Sequence, residues 1–346
     1  MKISKRKSEH IRIVMEKDVG FKGKTSGFER YELVHCALPE INVEDISTEI
    51  QFLNKNLSFP LMVSAMTGGY SGAVDINKQL AVACREEGVA LGVGSQRQIL
   101  ENSHHLDSYR VVRQTAPDNV IVGNIGAEQV AEIQDISVFQ RMVDLIEADA
   151  LAVHLNPLQE VIQPEGKARF HGVLEGIQQL VRKLDVPIIV KEIGCGISEK
   201  VARVLVDVGV DYIDVAGAGG TSWAGIESYR NHDNALALRF WDWGIPTVES
   251  LEMISRIPGA RAIASGGIDN GVIMAKALAL GAELCSAALP FLIALMKKNV
   301  NGLVDLLRAW RRELRTAMFL TGCPKIKDLQ REGVIIRWDS MRESRT

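Results

Sequence analysis

From about residue 60 onward the chain repeats one phrase: a short apolar run, a glycine-containing polar loop, an amphipathic stretch, and a Gly or Asp before the next run. Eight runs stand out, at Leu61 to Met66, Val89 to Val93, Val120 to Asn124, Ala150 to Leu155, Pro187 to Glu192, Tyr212 to Ala216, Arg261 to Ser265 and Glu283 to Ala287. Between runs the spacing becomes helical. Ala73, Ile76, Leu80 and Cys84 share one face before Gly88, and Val201, Val204, Leu205 and Val208 share one before Gly209. Eight β-α units close a parallel barrel, although a doubly wound open sheet uses the same local units. The polar residues separate the two, because they fall just after the runs, unit after unit, where a barrel collects its functional loops. The expectation is an α/β fold, a (β/α)8 TIM barrel, with residues 1–346 forming one domain.

Two stretches lie outside the repeat. Residues 1–58, with a helix-like pattern over Ser4 to Lys17, are expected to cover one end of the barrel or to reach over its site. Residues 217–245 are a long insertion after the sixth run, carrying Trp223, Arg230, Asn231, His232, Trp241 and Trp243, and are expected to form a lid.

Composition narrows the function. Forty basic against forty-three acidic residues leave a net charge of -3, so no global field recruits nucleic acid or an acidic membrane, and any anion site must be local. The five cysteines, Cys36, Cys84, Cys195, Cys285 and Cys323, show no zinc or disulfide spacing and fit a reducing cytoplasm. The basic N-terminus has no apolar segment behind it, and no apolar run is long enough to span a bilayer, so a cytoplasmic protein is expected.

The loops after the runs carry the chemistry. Gly217-Ala-Gly-Gly-Thr-Ser222 and Ser265-Gly-Gly267 are flexible turns or, as a pair on neighbouring strands, a phosphate cradle of backbone N–H groups and hydroxyls. Lys191 ends an apolar run and serves either an anion or an ion pair with Glu192. Asn124 and Ser95-Gln-Arg97 add donors at the same rim. His154-Leu-Asn-Pro-Leu-Gln-Glu160 brings an imidazole, amides and a carboxylate together, suited to a hard divalent ion at Glu160 and a diphosphate. Arg6-Lys-Ser-Glu-His10 is a diphosphate clamp or a solvated tail. Ser64-Ala-Met-Thr-Gly-Gly69 lets a flat ring approach the backbone, or is a tight turn. No Walker A loop, GxSxG elbow, HExxH or Rossmann fingerprint occurs in its required place.

Taken together, Arg6-Lys7 with His10, SAMTGG at 64–69, GSQR at 94–97, GNIG at 123–126, HLNPLQE at 154–160, KE at 191–192, AGAGGTSW at 216–223 and ASGGI at 264–268 resemble the type 2, FMN-dependent isopentenyl diphosphate isomerases. The resemblance runs from residue 6 to about residue 290, and beyond Val300 only Thr321-Gly322 is similar. It implies an FMN site at Ala65, Met66, Thr67, Ser95, Asn124, Lys191 and Thr221, with Gly267, Ile268, Asp269, Ala288 and Leu289 around its phosphate. It implies a substrate site at Arg6, Lys7, His10, Ser95, Gln96, Arg97, His154, Asn156 and Gln159, with His154 and Gln159 supporting catalysis and Glu160 holding Mg2+. The implied reaction is the reversible interconversion of isopentenyl and dimethylallyl diphosphate, with reduced FMN as acid and base, NADPH as its reductant, and a homo-oligomer, tetramer or octamer, as the assembly.

The rivals differ at single loops. A 2-hydroxy acid oxidase on this barrel needs a His base and an Arg near the seventh strand, where the chain reads Ser-Gly-Gly-Ile-Asp-Asn. An inosine monophosphate dehydrogenase needs a Cys in the sixth loop, which has Thr221, Ser222 and Trp223 instead. A flavin-binding protein without turnover has no use for the diphosphate cluster.

Overall fold

The computed structural model describes residues 2–101, 104–231 and 235–338, and His232 lies outside them. Eight parallel strands close in sequence order: β1 (Leu61–Val63), β2 (Ala90–Gly92), β3 (Ile121–Gly126), β4 (Ala150–His154), β5 (Ile188–Lys191), β6 (Tyr212–Asp214), β7 (Ala262–Ser265) and β8 (Ala282–Ala287). Closure is made where Cys285, Ser286 and Ala287 of β8 run in register with Leu61, Met62 and Val63 of β1. Each strand lies within, or within one residue of, an apolar run, except β3, which continues two residues beyond its run to Gly126.

Both faces of every strand are covered, which is why the runs are apolar without alternation. Inside, Met62, Ala90, Val122, Ala152, Ile189, Tyr212, Ile263 and Leu284 contribute one residue per strand to a packed layer. Outside, Leu61, Val63, Leu91, Ile121, Val153, Val190, Ile213 and Cys285 are buried against the helices. Helix Ala73–Glu87 buries Ala73, Leu80 and Cys84 and ends at Gly88, whose φ of 62° suits a left-handed cap. A Cβ there would come within 2.3 Å of the Ser58 hydroxyl, so glycine is required on both counts. Helix Glu199–Asp207, capped by Ser198, corrects one expected face: Ala202 and Leu205 are its buried residues, whereas Val201 is 42% exposed.

The N-terminal extension covers both ends of the barrel rather than one. Strands Ile50–Phe52 and Lys55–Leu57 form a hairpin. Its turn residues Leu53 and Asn54 both have positive φ, 50° and 60°, as a two-residue primed turn demands. Phe52 and Leu57 enter the inner cluster from the strands' N-terminal end. Helix Lys2–Glu16 instead lies over the C-terminal end, where Ile13 packs with Val19 and Ile226. Between them, Tyr31–Leu33 pairs antiparallel with Ile335–Arg337, tying the extension to the far end of the chain. The insertion after β6 folds into helices Trp223–Arg230 and Ala235–Arg239. Among the described residues no helix is long and apolar enough to cross a membrane.

Candidate active site

Two residues beyond the apolar layer, strand period two brings Ser64, Gly92, Asn124, His154, Lys191, Asp214, Ser265 and Ser286 onto the same inward side. Not one of them has an apolar side chain. In β4 to β6 this layer is held in register, His154 beside Lys191 and Lys191 beside Asp214, while on β3 Asn124 lies beside Ala152 and Gly126 beside His154. The barrel interior thus turns from hydrocarbon to hydrogen-bonding groups in a single step.

Above this floor opens a cavity of about 890 Å3, counting its mouth, lined by strand ends, by the N-terminal helix and by Trp223 of the insertion. His154 Nδ1 meets Asn124 Oδ1 at 2.7 Å. Since that oxygen only accepts, Nδ1 carries the proton and Nε2 is the basic nitrogen. Burial, followed by the charges of Lys191, Lys7, Arg6 and Arg97, pushes the imidazole down to about 3, so it is neutral. Four cations, Arg6, Lys7, Arg97 and Lys191, against two carboxylates, Glu128 and Glu160, leave the cavity lining net positive.

The N-terminal helix delivers three of the lining residues. Lys7 Nζ donates to the carbonyls of Gly68 (2.6 Å) and Ser95 (2.8 Å). Arg6 reaches the Gln163 side chain at 3.3 Å, and burial, then Arg97, holds its pKa below the usual guanidinium value. His10 Nε2 lies 3.0 Å from Glu227, and burial, outweighing that carboxylate, lowers its pKa. Glu227 was not visible in the sequence, and it is the hub of this side: it also accepts from Gln159 (3.3 Å) and Arg230 (2.5 Å). Burial raises its pKa, but the bonds from His10, Arg230 and Gln159 bring it below the ordinary glutamate value. A faint signal was available in the helical spacing of Trp223, Glu227 and Arg230, which share one face.

Of the expected substrate residues, Arg6, Lys7, His10, Ser95, Arg97, His154, Asn156 and Gln159 line the cavity. Gln96 does not. Its side chain is fully buried, donating to the Met142 carbonyl (2.9 Å) and accepting from the Asn124 N–H (3.0 Å), which places it behind the wall. Glu160 lines the cavity and accepts from Asn156 (3.0 Å) and the Lys167 N–H (3.3 Å). Among the described residues no cluster of three or more His, Cys, Asp or Glu forms a metal cage. A divalent ion at Glu160 therefore fits only with oxygens supplied by its ligand.

The expected FMN residues divide into two groups. Ala65, Met66, Ser95, Asn124 and Lys191 line the cavity, and Thr67 lies just behind with its buried hydroxyl unpartnered. Thr221, Gly267, Ile268, Asp269, Ala288 and Leu289 lie apart from that lining. Thr221 bridges to Gly20, Ile268 is core, and Asp269 is exposed and bonded to Asn270. The two glycine loops nonetheless meet: a Cβ on Gly220 would stand 2.5 Å from the Gly267 nitrogen, and Gly219, at φ 111°, and Gly267, at φ 70°, both adopt glycine conformations. Among the described residues, the backbone N–H groups of Gly219, Gly220, Gly266 and Gly267 bond to no backbone acceptor. This donor set, with the start of helix Leu289–Leu320 close behind β8, fits a phosphate, and the small-residue wall at Ala65 and Gly94 fits a flat ring.

Comparison with known proteins agrees with this geometry. An FMN-dependent dehydrogenase family model matches residues 140–336. The chain is 46% identical to isopentenyl-diphosphate delta-isomerase from Methanothermobacter thermautotrophicus, covering 96% of this chain and 93% of the relative. It is 44% identical to the protein of the same name from Archaeoglobus fulgidus, covering 95% of each. A mandelate oxidase variant superposes with a TM-score of 0.65 at 18% identity, over 95% of this chain and 97% of that one, which attests the barrel fold alone. The loop motifs, the full-length identity to these isomerases and the flavin-family match converge on one assignment: the chain is an isomerase and belongs to the type 2, FMN-dependent isopentenyl-diphosphate delta-isomerase family.

Proposed function

We propose that this enzyme interconverts isopentenyl and dimethylallyl diphosphate in its barrel-mouth cavity. The observation that carries the reading is the convergence of Arg6, Lys7, Arg97 and Lys191 on a neutral His154. Such a field favours a small, highly charged anion with an uncharged tail, and a diphosphate bearing a short alkene has that form. Arg6, Lys7, His10, Ser95, Arg97, Asn156 and Gln159 hold the diphosphate, and Glu160 is the residue that would hold Mg2+, whose chemistry would be to offset the charge of the phosphates. Gln96 supports this set from behind the wall.

FMN, when bound and reduced by NADPH, supplies the acid and base for a 1,3 proton shift that ordinary side chains perform poorly. Ala65, Met66, Thr67, Ser95, Asn124 and Lys191 would hold the ring, and Thr221, Gly267, Ile268, Asp269, Ala288 and Leu289 would surround the phosphate. The protein's own part is orientation and exclusion of water. His154, neutral with Nε2 unprotonated, accepts a hydrogen bond without adding charge, and Gln159 is held by Glu227 toward the same space. Residues 217–245, whose Trp223 lines the cavity, serve as its lid. The working form is a cytoplasmic homo-oligomer, tetramer or octamer.

The test is anaerobic turnover of isopentenyl diphosphate with FMN, Mg2+ and NADPH or dithionite, alongside an oxidised-FMN control. Dimethylallyl diphosphate is expected only with reduced flavin and without stoichiometric loss of reductant. Binding of the diphosphate to reduced enzyme with no product would reject the isomerase reading in favour of an oxidoreductase.

A further inference from the structure

The two glycine loops after β6 and β7 offer N–H groups to a phosphate, and something must aim those groups. Gly219 (φ 111°) and Gly267 (φ 70°) pack so closely that a Cβ on Gly267 would stand 2.9 Å from the Gly219 carbonyl oxygen. Among the described residues neither N–H meets a backbone acceptor. A trans peptide is planar, and its C=O and N–H point in opposite directions. The direction of each N–H is therefore decided by whatever holds the carbonyl of the residue before it, which here is Ala218 or Gly266.

One residue holds both carbonyls. Thr247 opens helix Thr247–Ser255 and is completely buried. Its backbone N–H donates to the Ala218 carbonyl at 3.3 Å. Its hydroxyl has three carbonyls in reach, Gly266 at 2.6 Å, Ser265 at 3.3 Å and Ala218 at 3.4 Å, and its single proton goes to the shortest contact. The next N–H of the helix, that of Val248, donates to the Ser26 carbonyl at 3.0 Å, and Ser26 packs on both glycines. The bond to Gly266 has the most to decide. Gly266 (φ 94°) and Gly267 each accept either sign of φ, so the local backbone does not choose the orientation of the peptide between them. The Thr247 hydroxyl chooses it.

We propose that Thr247 is a positioning residue for the flavin phosphate: by drawing the Ala218 and Gly266 carbonyls toward its own helix, it turns the N–H groups of Gly219 and Gly267 toward the phosphate oxygens. This rests on the reading of the two glycine loops as the FMN phosphate site. With its proton committed to Gly266, Thr247 acts through the two peptides. Its loss leaves the flat-ring wall at Ala65 and Gly94 intact, so the effect belongs to the phosphate and not to the ring.

The measurement is the dissociation constant of FMN, and of riboflavin, which has the same ring and no phosphate, on the full chain freed of flavin. Quenching of flavin fluorescence reads both, in wild type, Thr247→Val and Thr247→Ser. Valine keeps the branched shape and removes the hydroxyl proton, whereas serine keeps the proton. Thr247→Val is expected to bind FMN about tenfold more weakly, the size of one lost hydrogen bond to a charged group, with riboflavin unchanged. Thr247→Ser is expected to bind both flavins as wild type does. Equal loss of FMN and riboflavin affinity would show that Thr247 only supports the barrel, and overturns the proposal. So does an FMN affinity that valine leaves unchanged or that serine fails to rescue. A wild type that binds FMN no more tightly than riboflavin overturns the reading of the phosphate site itself. Should Thr247→Val fail to fold, Thr247→Cys retains a weaker donor, and a smaller loss confined to FMN is expected there; no loss overturns the proposal.

Discussion

The two ends of the barrel are built from opposite materials. At the N-terminal end, Phe52 and Leu57 from the extension close on an apolar layer of one residue from each strand. One step along the same strands, a rise of ~7 Å, the inward residues are Ser64, Gly92, Asn124, His154, Lys191, Asp214, Ser265 and Ser286, and the cover is a helix that brings Arg6, Lys7 and His10. The same extension supplies both covers. The difference teaches where free energy is gained and where it is spent: burial of hydrocarbon stabilises one end, while the other keeps buried charges and oxygens without a hydrogen-bond partner. Of the seven buried side-chain atoms without hydrogen-bond partners among the described residues, Thr67 Oγ1, Asp214 Oδ2 and Ser286 Oγ belong to the strand ends on the C-terminal side of the apolar layer.

The sharpest way to break the comparison is at the plug. Phe52→Ala removes a ring that is 2% exposed and packs edge-on against Tyr212 at 5.0 Å. A loss of about 3–5 kcal/mol is expected in denaturant unfolding, with turnover per folded molecule close to wild type. If activity falls in proportion to stability, the ends are coupled and the division drawn above is wrong.

The polar end makes a smaller contribution of opposite pH character. His154 is lowered to about 3 from 6.5, so between those values the unfolded chain binds a proton that the native site refuses. Stability therefore climbs with pH across that window and is fully present above about 6.5. His154→Gln removes this dependence, worth on the order of 1–3 kcal/mol at the acid end. Its acid-unfolding midpoint should move to lower pH relative to wild type. Coincident midpoints would mean that the imidazole charges freely in the folded state, which the surrounding Lys191, Lys7, Arg6 and Arg97 make unfavourable.

How far the sequence announced these ends follows from their physics. All eight strands were legible because a doubly covered strand is a continuous apolar run, and the site loops were legible because they interrupt that run at a fixed place. The plug was not, because its turn is Leu53-Asn54 and lacks the glycine that normally marks a primed turn. Glu227 and Asp214 were missed for another reason: beyond the local Arg230, the partners that mark them as buried carboxylates lie far off in sequence, His10 at 217 residues for one and Ser265 at 51 for the other. Gln96 was legible as polar but not as facing the wall. Within GSQR, sequence alone does not tell which side chain turns inward.

The finest test concerns the cover over the polar end. Ile13 is 5% exposed, but among the described residues its cluster holds only Val19 and Ile226 as buried companions, against twelve buried residues in the cluster that contains the plug. A site with so few neighbours relaxes on truncation, so Ile13→Ala should cost only about 1–2 kcal/mol locally, and little of it in global unfolding. The loss should appear elsewhere. The helix carries Arg6, Lys7 and His10 to the cavity, and loosening its anchor lowers the fraction of molecules in which the three are assembled. A local cost of that size corresponds to a roughly tenfold weaker apparent affinity for the diphosphate, read as a raised KM with a nearly unchanged kcat. A fall in kcat at constant KM would show instead that the helix acts on the chemical step, and that the two covers differ in more than the material they shield.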